Sequence, residues 1–142
     1  MTPKLLNSAE SIHLETKRVS GKMVGKALEA ICAFANTGGG TLALGVEDAA
    51  KAHGADRLLG ISENPEAVDE LRRKAMTHLL PVVDGIRCLR VACRQHDGTA
   101  GHVLLVVVLQ SARVHCLLEE RQLRKPLNPG LSSGRTFLRK IP

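Results

Sequence analysis

Aromatic side chains are almost missing from this chain: there is no Trp, no Tyr and only two Phe, Phe34 and Phe137. The core must therefore be built from Leu, Val, Ile and Ala, and stacking of bases on rings, a common way to hold single-stranded nucleic acid, has no platform. Long apolar runs are lacking too. No stretch approaches the roughly 18 residues that a bilayer span needs, and the N-terminal segment MTPKLLNSAE has no apolar centre of the kind a signal peptide carries. The four cysteines, Cys32, Cys88, Cys93 and Cys116, form no C-x-x-C pair and have apolar neighbours. They read as small buried hydrophobes rather than metal ligands, and His102 and His115 as structural or exposed. The expected location is cytoplasmic and reducing. A phosphate-binding loop is missing as well. The run TGGGTLALG carries no Gly-Lys-Ser/Thr, and its glycines follow a predicted helix and precede a predicted strand, the reverse of the order that brings an anion to a helix N-terminus.

What the chain does have is positive charge. At 142 residues it fits one domain with one core. Its formal net charge of +6 favours an anionic partner such as nucleic acid. Much of that charge lies in the last 26 residues, where Arg121, Arg124, Lys125, Arg135, Arg139 and Lys140 outnumber Glu119 and Glu120. This Pro- and Gly-punctuated tail, residues 117–142, is separated from the rest, residues 1–116. It is open to two readings, a solvated surface or a phosphate-contacting segment.

The periodicities place the elements. Residues 3–9 read as a short helical or irregular lead-in. Ile12 and Leu14 alternate with His13 and Glu15, predicting a half-buried strand over 12–17. Met23, Val24, Ala27, Leu28, Ile31, Cys32 and Phe34 recur at helical spacing, so a helix is expected over about 22–35, ended by Asn36 and three glycines. Thr41–Val46 is a strand apolar enough to be buried on both faces. A polar loop follows to Arg57, and a second helix is expected from Pro65 to Leu80. The runs 86–94 and 102–110, around His96-Asp97-Gly98, predict an antiparallel hairpin. Further strands are expected at 114–118 and 136–138. The fold class expected is α+β, a mixed and mostly antiparallel sheet packed with two main helices.

The acids carry the chemistry. Glu10 and Glu15 flank the first strand, while Glu47 and Asp48 close the second. If the strands are neighbours, three or four carboxylates converge, and their mutual repulsion is most readily offset by a divalent cation. A hard cation held between carboxylates and phosphate oxygens is the equipment of metal-assisted phosphodiester hydrolysis. Positions five apart in an ideal strand face opposite sides, so Glu10 is expected before the strand, on a turn or helix end.

The element E-S-I-H-L-E-T-K (Glu10–Lys17), with A-F-A-N-T-G-G-G-T-L-A-L-G-V-E-D (Ala33–Asp48) and Gly60-Ile61, resembles the Schlafen AlbA-type domain family. The resemblance is strong over residues 8–61 and weaker to about 116. F-L-R at 137–139 is similar to that family's closing strand. The resemblance implies an α+β lobe. In the family's nuclease members, three acids hold a divalent metal, Mg²⁺ or Mn²⁺, and cut transfer and ribosomal RNA. On this chain they fall on Glu10, Glu15 and Asp48, with Glu47 as an alternative acid. Lys17, Arg18, Lys22, Arg139 and Lys140 would contact phosphates. Thr16 stands where the family usually has an aromatic residue. The nucleases pair two such lobes, whereas this chain has room for one, so a homodimer is expected to restore a basic channel. The expected function is a metal-dependent endoribonuclease acting on structured RNA such as tRNA. The alternatives are a non-catalytic DNA- or RNA-binding module and a small-ligand or nucleotide-binding domain, the last disfavoured by the absent Walker pattern, and RNA is favoured over DNA.

Overall fold

The computed structural model describes residues 13–118 and the strand at 134–136. In chain order the elements are β1 (Leu14–Lys17), α1 (Met23–Asn36), β2 (Gly40–Leu44), a 3-10 turn (Gly54–Arg57), α2 (Pro65–Thr77), β3 (Leu79–Leu80), β4 (Ile86–Arg94), β5 (Ala100–Val108), β6 (Cys116–Leu118) and β7 (Gly134–Thr136). The main sheet has the order β1-β2-β5-β4, and β3-β6-β7 form a smaller one. Among the described strands only β1 and β2 run parallel, with Glu15 opposite Leu42 and Lys17 opposite Leu44. All other pairings are antiparallel, giving the mixed α+β fold expected.

The parallel pair is a consequence of helix α1. A strand can return parallel to its predecessor only over a crossover, and fourteen residues of amphipathic helix supply it. The helix buries Met23, Val24, Ala27, Leu28, Ile31 and Phe34 against Leu42, Leu44, Leu104, Val106 and Val108. It stops where Gly38 and Gly39 adopt positive φ values of 78° and 76°, while the Thr37 and Gly39 N–H groups donate to the Phe34 carbonyl. This left-handed geometry is nearly strain-free only for glycine. Helix α2 starts as its sequence dictates, with Asn64 accepting the Ala67 N–H at 3.1 Å and Pro65 in the first turn.

The opposite face of the sheet has its own small core, Ala43, Val46, Leu58 and Val103. Its cover is the segment after β2, which returns to make a bridge between Val46 and Leu58.

Several boundaries differ from the sequence reading: β5 runs Ala100–Val108 rather than 102–110, and β6 starts at Cys116 rather than 114. β2 ends at Leu44 rather than Val46, because Gly45 turns at φ 91° and its Cα packs onto the Gly60 backbone. Helix α2 ends at Thr77, and Leu79 and Leu80 pair with β6 instead of extending the helical stripe. The last strand lies at Gly134–Thr136, ahead of the expected 136–138. The lead-in at 3–9 and the 137–139 segment lie outside the described residues.

The cysteines divide. Cys32 is buried, Cys93 and Cys116 are partly so, but Cys88 is exposed. The expectation that all four are buried fails at Cys88 because β4 is an edge strand. No described helix is long and apolar enough to cross a membrane.

Candidate functional site

The parallel pairing decides what meets the acidic dipeptide. Because β1 and β2 run side by side in the same direction, the chain leaving β2 passes the end of β1. There the Gly45 N–H donates to the Lys17 carbonyl at 2.9 Å. Glu47 then comes within 3.6 Å of Arg18, which also forms a two-pronged pair with Glu63, Nε at 3.2 Å and Nη2 at 2.7 Å. Arg18 thus joins the end of β1, the loop after β2 and the approach to α2. The hydrogen bonds that Arg18 donates to Glu63, and then the Glu63 charge, raise the Arg18 pKa above its ordinary value, with Glu47 contributing less.

The acidic dipeptide is held from its own side by Arg57. That guanidinium is only 1% exposed; its Nε donates to the Glu47 carbonyl at 2.9 Å, and the Glu47 N–H donates to the Arg57 carbonyl at 2.8 Å. Asp48 is exposed and fixed locally: its N–H donates to Glu47 Oε1, its Oδ1 accepts the Ala50 N–H, and its carbonyl accepts the Lys51 N–H. This is an Asx-type turn, which holds a carboxylate in place without burying it.

Glu15 and Lys17 occupy alternate positions of β1, so they share one face with each other and with their partners Leu42 and Leu44. Since Leu42 and Leu44 pack on α1, Glu15 and Lys17 lie on the helix-bearing side of the sheet at its edge, half-buried. Lys22 is exposed at the start of α1. Glu10, Arg139 and Lys140 lie outside the described residues. Of the expected acids, then, Glu15 stands beside Lys17 on β1, while Asp48 follows the Glu47 that meets Arg18. Among the described residues no three His, Cys, Asp or Glu side chains converge closely enough to hold a metal ion. Carboxylate oxygens are the donors a hard divalent cation takes, and Glu15 and Asp48 are donors of that type that do not converge with a third described acid.

Two residues of this site escaped the sequence reading. Arg57 marks only the end of a polar loop in the sequence, and the bridge at Val46–Leu58 brings it to Glu47. Glu63 is 45 residues from Arg18 in the chain. Alternation and spacing report local geometry and carry no signal for either contact.

No curated protein matches the sequence. Among solved structures, the crystal structure of the DIP2311 protein from Corynebacterium diphtheriae is similar at 20% identity and a TM-score of 0.49, over 75% of this chain. The chain corresponds to 19% of that protein's length. The family model described as Schlafen, AlbA_2 matches residues 10–140, nearly the whole chain. The chain belongs to the Schlafen AlbA_2 family, a membership that points to nucleic-acid binding.

Proposed function

We propose that this protein is a metal-dependent endoribonuclease acting on structured RNA such as tRNA, with Glu10, Glu15 and Asp48 as its acids. The observation that supports this most is the parallel pairing of β1 with β2. It carries the chain after Gly45 past Lys17 and Arg18, so acidic and basic residues of two distant sequence elements share one edge of the sheet. A divalent ion held by the three acids would neutralise charge on the scissile phosphate and lower the pKa of a bound water. Lys17, Lys22, Arg139 and Lys140 would draw the RNA backbone to that edge. Arg18, whose single charge is met by Glu47 and Glu63, would contact a phosphate only by giving up one of those pairs. A second copy of the chain would complete the groove of which one lobe offers half.

A non-catalytic DNA- or RNA-binding module is the second reading. The observation favouring it is that Glu47 and Glu63 are spent on Arg18, a structural use of acids at this edge.

Two measurements test the proposal. Calorimetric titration with Mn²⁺ is expected to show a site weakened at least tenfold in Asp48→Ala and in Glu15→Gln; equal binding in both variants counts against the three acids. Light scattering is expected to give a dimer, and a clean monomer at assay concentration contradicts the paired lobe.

A further inference from the structure

A second basic site lies away from the acids. Between α2 and the β4–β5 hairpin is a cavity of about 380 Å³, lined by Arg72 from the helix, Arg90 from β4 and His102 from β5, with Ser62 and Asp69 at its side. In the register of the hairpin, Arg90 faces Leu104 and Ala92 faces His102, so Arg90 and His102 are diagonal neighbours on one face. Among the described residues neither Arg72 nor Arg90 forms an ion pair, although Asp69 lines the same cavity. Two permanently charged guanidinium groups and an imidazole N–H thus converge where a single carboxylate is available. Guanidinium forks match the oxygens of a phosphate better than any other side chain does.

The cavity does not end at the cations. Arg72 and Val68 also line an adjoining apolar cavity of about 310 Å³, walled by Leu71, Met76, Ile86, Cys88 and Val106. Each volume falls in the range of small-ligand sites, roughly 300–1,000 Å³. Met76 and Cys88 put polarisable sulfur on the wall, a favourable surface for the edge or face of a flat ring. An anion-binding end beside an apolar end with sulfur on its wall suits a phosphate carried on a heterocycle.

We propose that the groove between α2 and the β4–β5 hairpin binds a nucleotide unit, its phosphate on Arg72, Arg90 and His102 and its base against Met76 and Cys88. The unit is either a free nucleoside monophosphate or the phosphorylated 5′ end of a strand. The proposal does not depend on the acids at the other edge.

The test is calorimetry of the full chain with adenosine 5′-monophosphate, a 5′-phosphorylated trinucleotide, adenosine, inorganic phosphate and decyl phosphate. Both arginines are exposed, so Arg72→Ala and Arg90→Ala are expected to keep the melting temperature, read by circular dichroism. Saturable binding of a phosphorylated nucleoside, weakened at least tenfold in either variant and unchanged in Asp48→Ala, is the expected result. Equal affinity for the monophosphate and the trinucleotide assigns a free nucleotide, and tighter binding of the trinucleotide assigns a strand end. The proposal is overturned if neither phosphorylated ligand binds at millimolar concentration, if the Arg72→Ala/Arg90→Ala double variant binds as well as the parent, or if decyl phosphate binds more tightly than the nucleotides. Failure of RNA cleavage with this binding intact would remove the proposed nuclease and leave the groove.

Discussion

Gly45 shows how one residue sets the path of the acidic loop. Its φ of 91° and its contact with the Gly60 backbone, 2.7 Å from where a Cβ would stand, leave no room for a side chain. Gly45→Ala is expected to destabilise the fold by about 1 to 3 kcal/mol through strain and overpacking, which a urea denaturation midpoint will report. Thiol chemistry offers a second check at this scale. Cys88 is exposed, burial pushes the Cys93 thiol pKa up, and Cys32 is buried with its Sγ donating to the His115 carbonyl at 3.3 Å. Timed iodoacetamide labelling read by mass spectrometry is therefore expected to modify Cys88 first and Cys32 last; labelling of Cys32 before Cys88 would contradict the packing.

At the scale of elements, Asn36 ties α1 to the second sheet. Its Oδ1 accepts the His115 N–H at 2.8 Å and its Nδ2 donates to the His115 carbonyl at 3.0 Å, holding the approach to β6 against the helix end. Asn36→Ala leaves both backbone groups of a buried residue without these partners, an expected loss of about 1 to 3 kcal/mol. Amide exchange at His115 should rise with it. The hairpin turn carries a pH signature. Thr99 donates its hydroxyl to Asp97 Oδ1 at 2.6 Å and its N–H at 3.1 Å, and these bonds hold the Asp97 pKa below its ordinary 3.8. A depressed carboxylate stabilises the fold above its unfolded-state pKa. The contribution is lost as pH falls through the lower folded value, so acid unfolding should show an increment in this range that Asp97→Asn lacks.

Elements whose pattern is local were legible in the sequence: α1 from its apolar spacing, the glycine turn, the Asn64-Pro65 helix start and the β4–β5 hairpin. What was not legible depends on contacts distant in the chain. Gly45 ends β2 early because Gly60 occupies its flank, and α2 stops at Thr77 because β6 recruits Leu79 and Leu80 as a strand. Basic residues drew the sequence reading to β1 and the tail, where they cluster along the chain. Arg72, Arg90 and His102 are scattered over 31 positions of sequence and meet only when α2 lies across the hairpin.

For the whole molecule, a lobe with a main core under α1 and a smaller one on the opposite face presents acids and cations at one edge of its sheet and a second cationic groove beside α2. Family membership points to nucleic acid as the partner, and the net charge of +6 agrees with it. The most direct test of the central claim is incubation with a purified tRNA and a single-stranded DNA in Mn²⁺, Mg²⁺ and EDTA, beside Asp48→Ala. Asp48 is exposed, so the variant should fold as the parent does. The account predicts cleavage of the tRNA that requires the metal and falls at least a hundredfold in the variant, with the DNA cut more slowly or not at all. Salt-sensitive binding of tRNA without cleavage in either metal, or cleavage equal in the parent and Asp48→Ala, would contradict it.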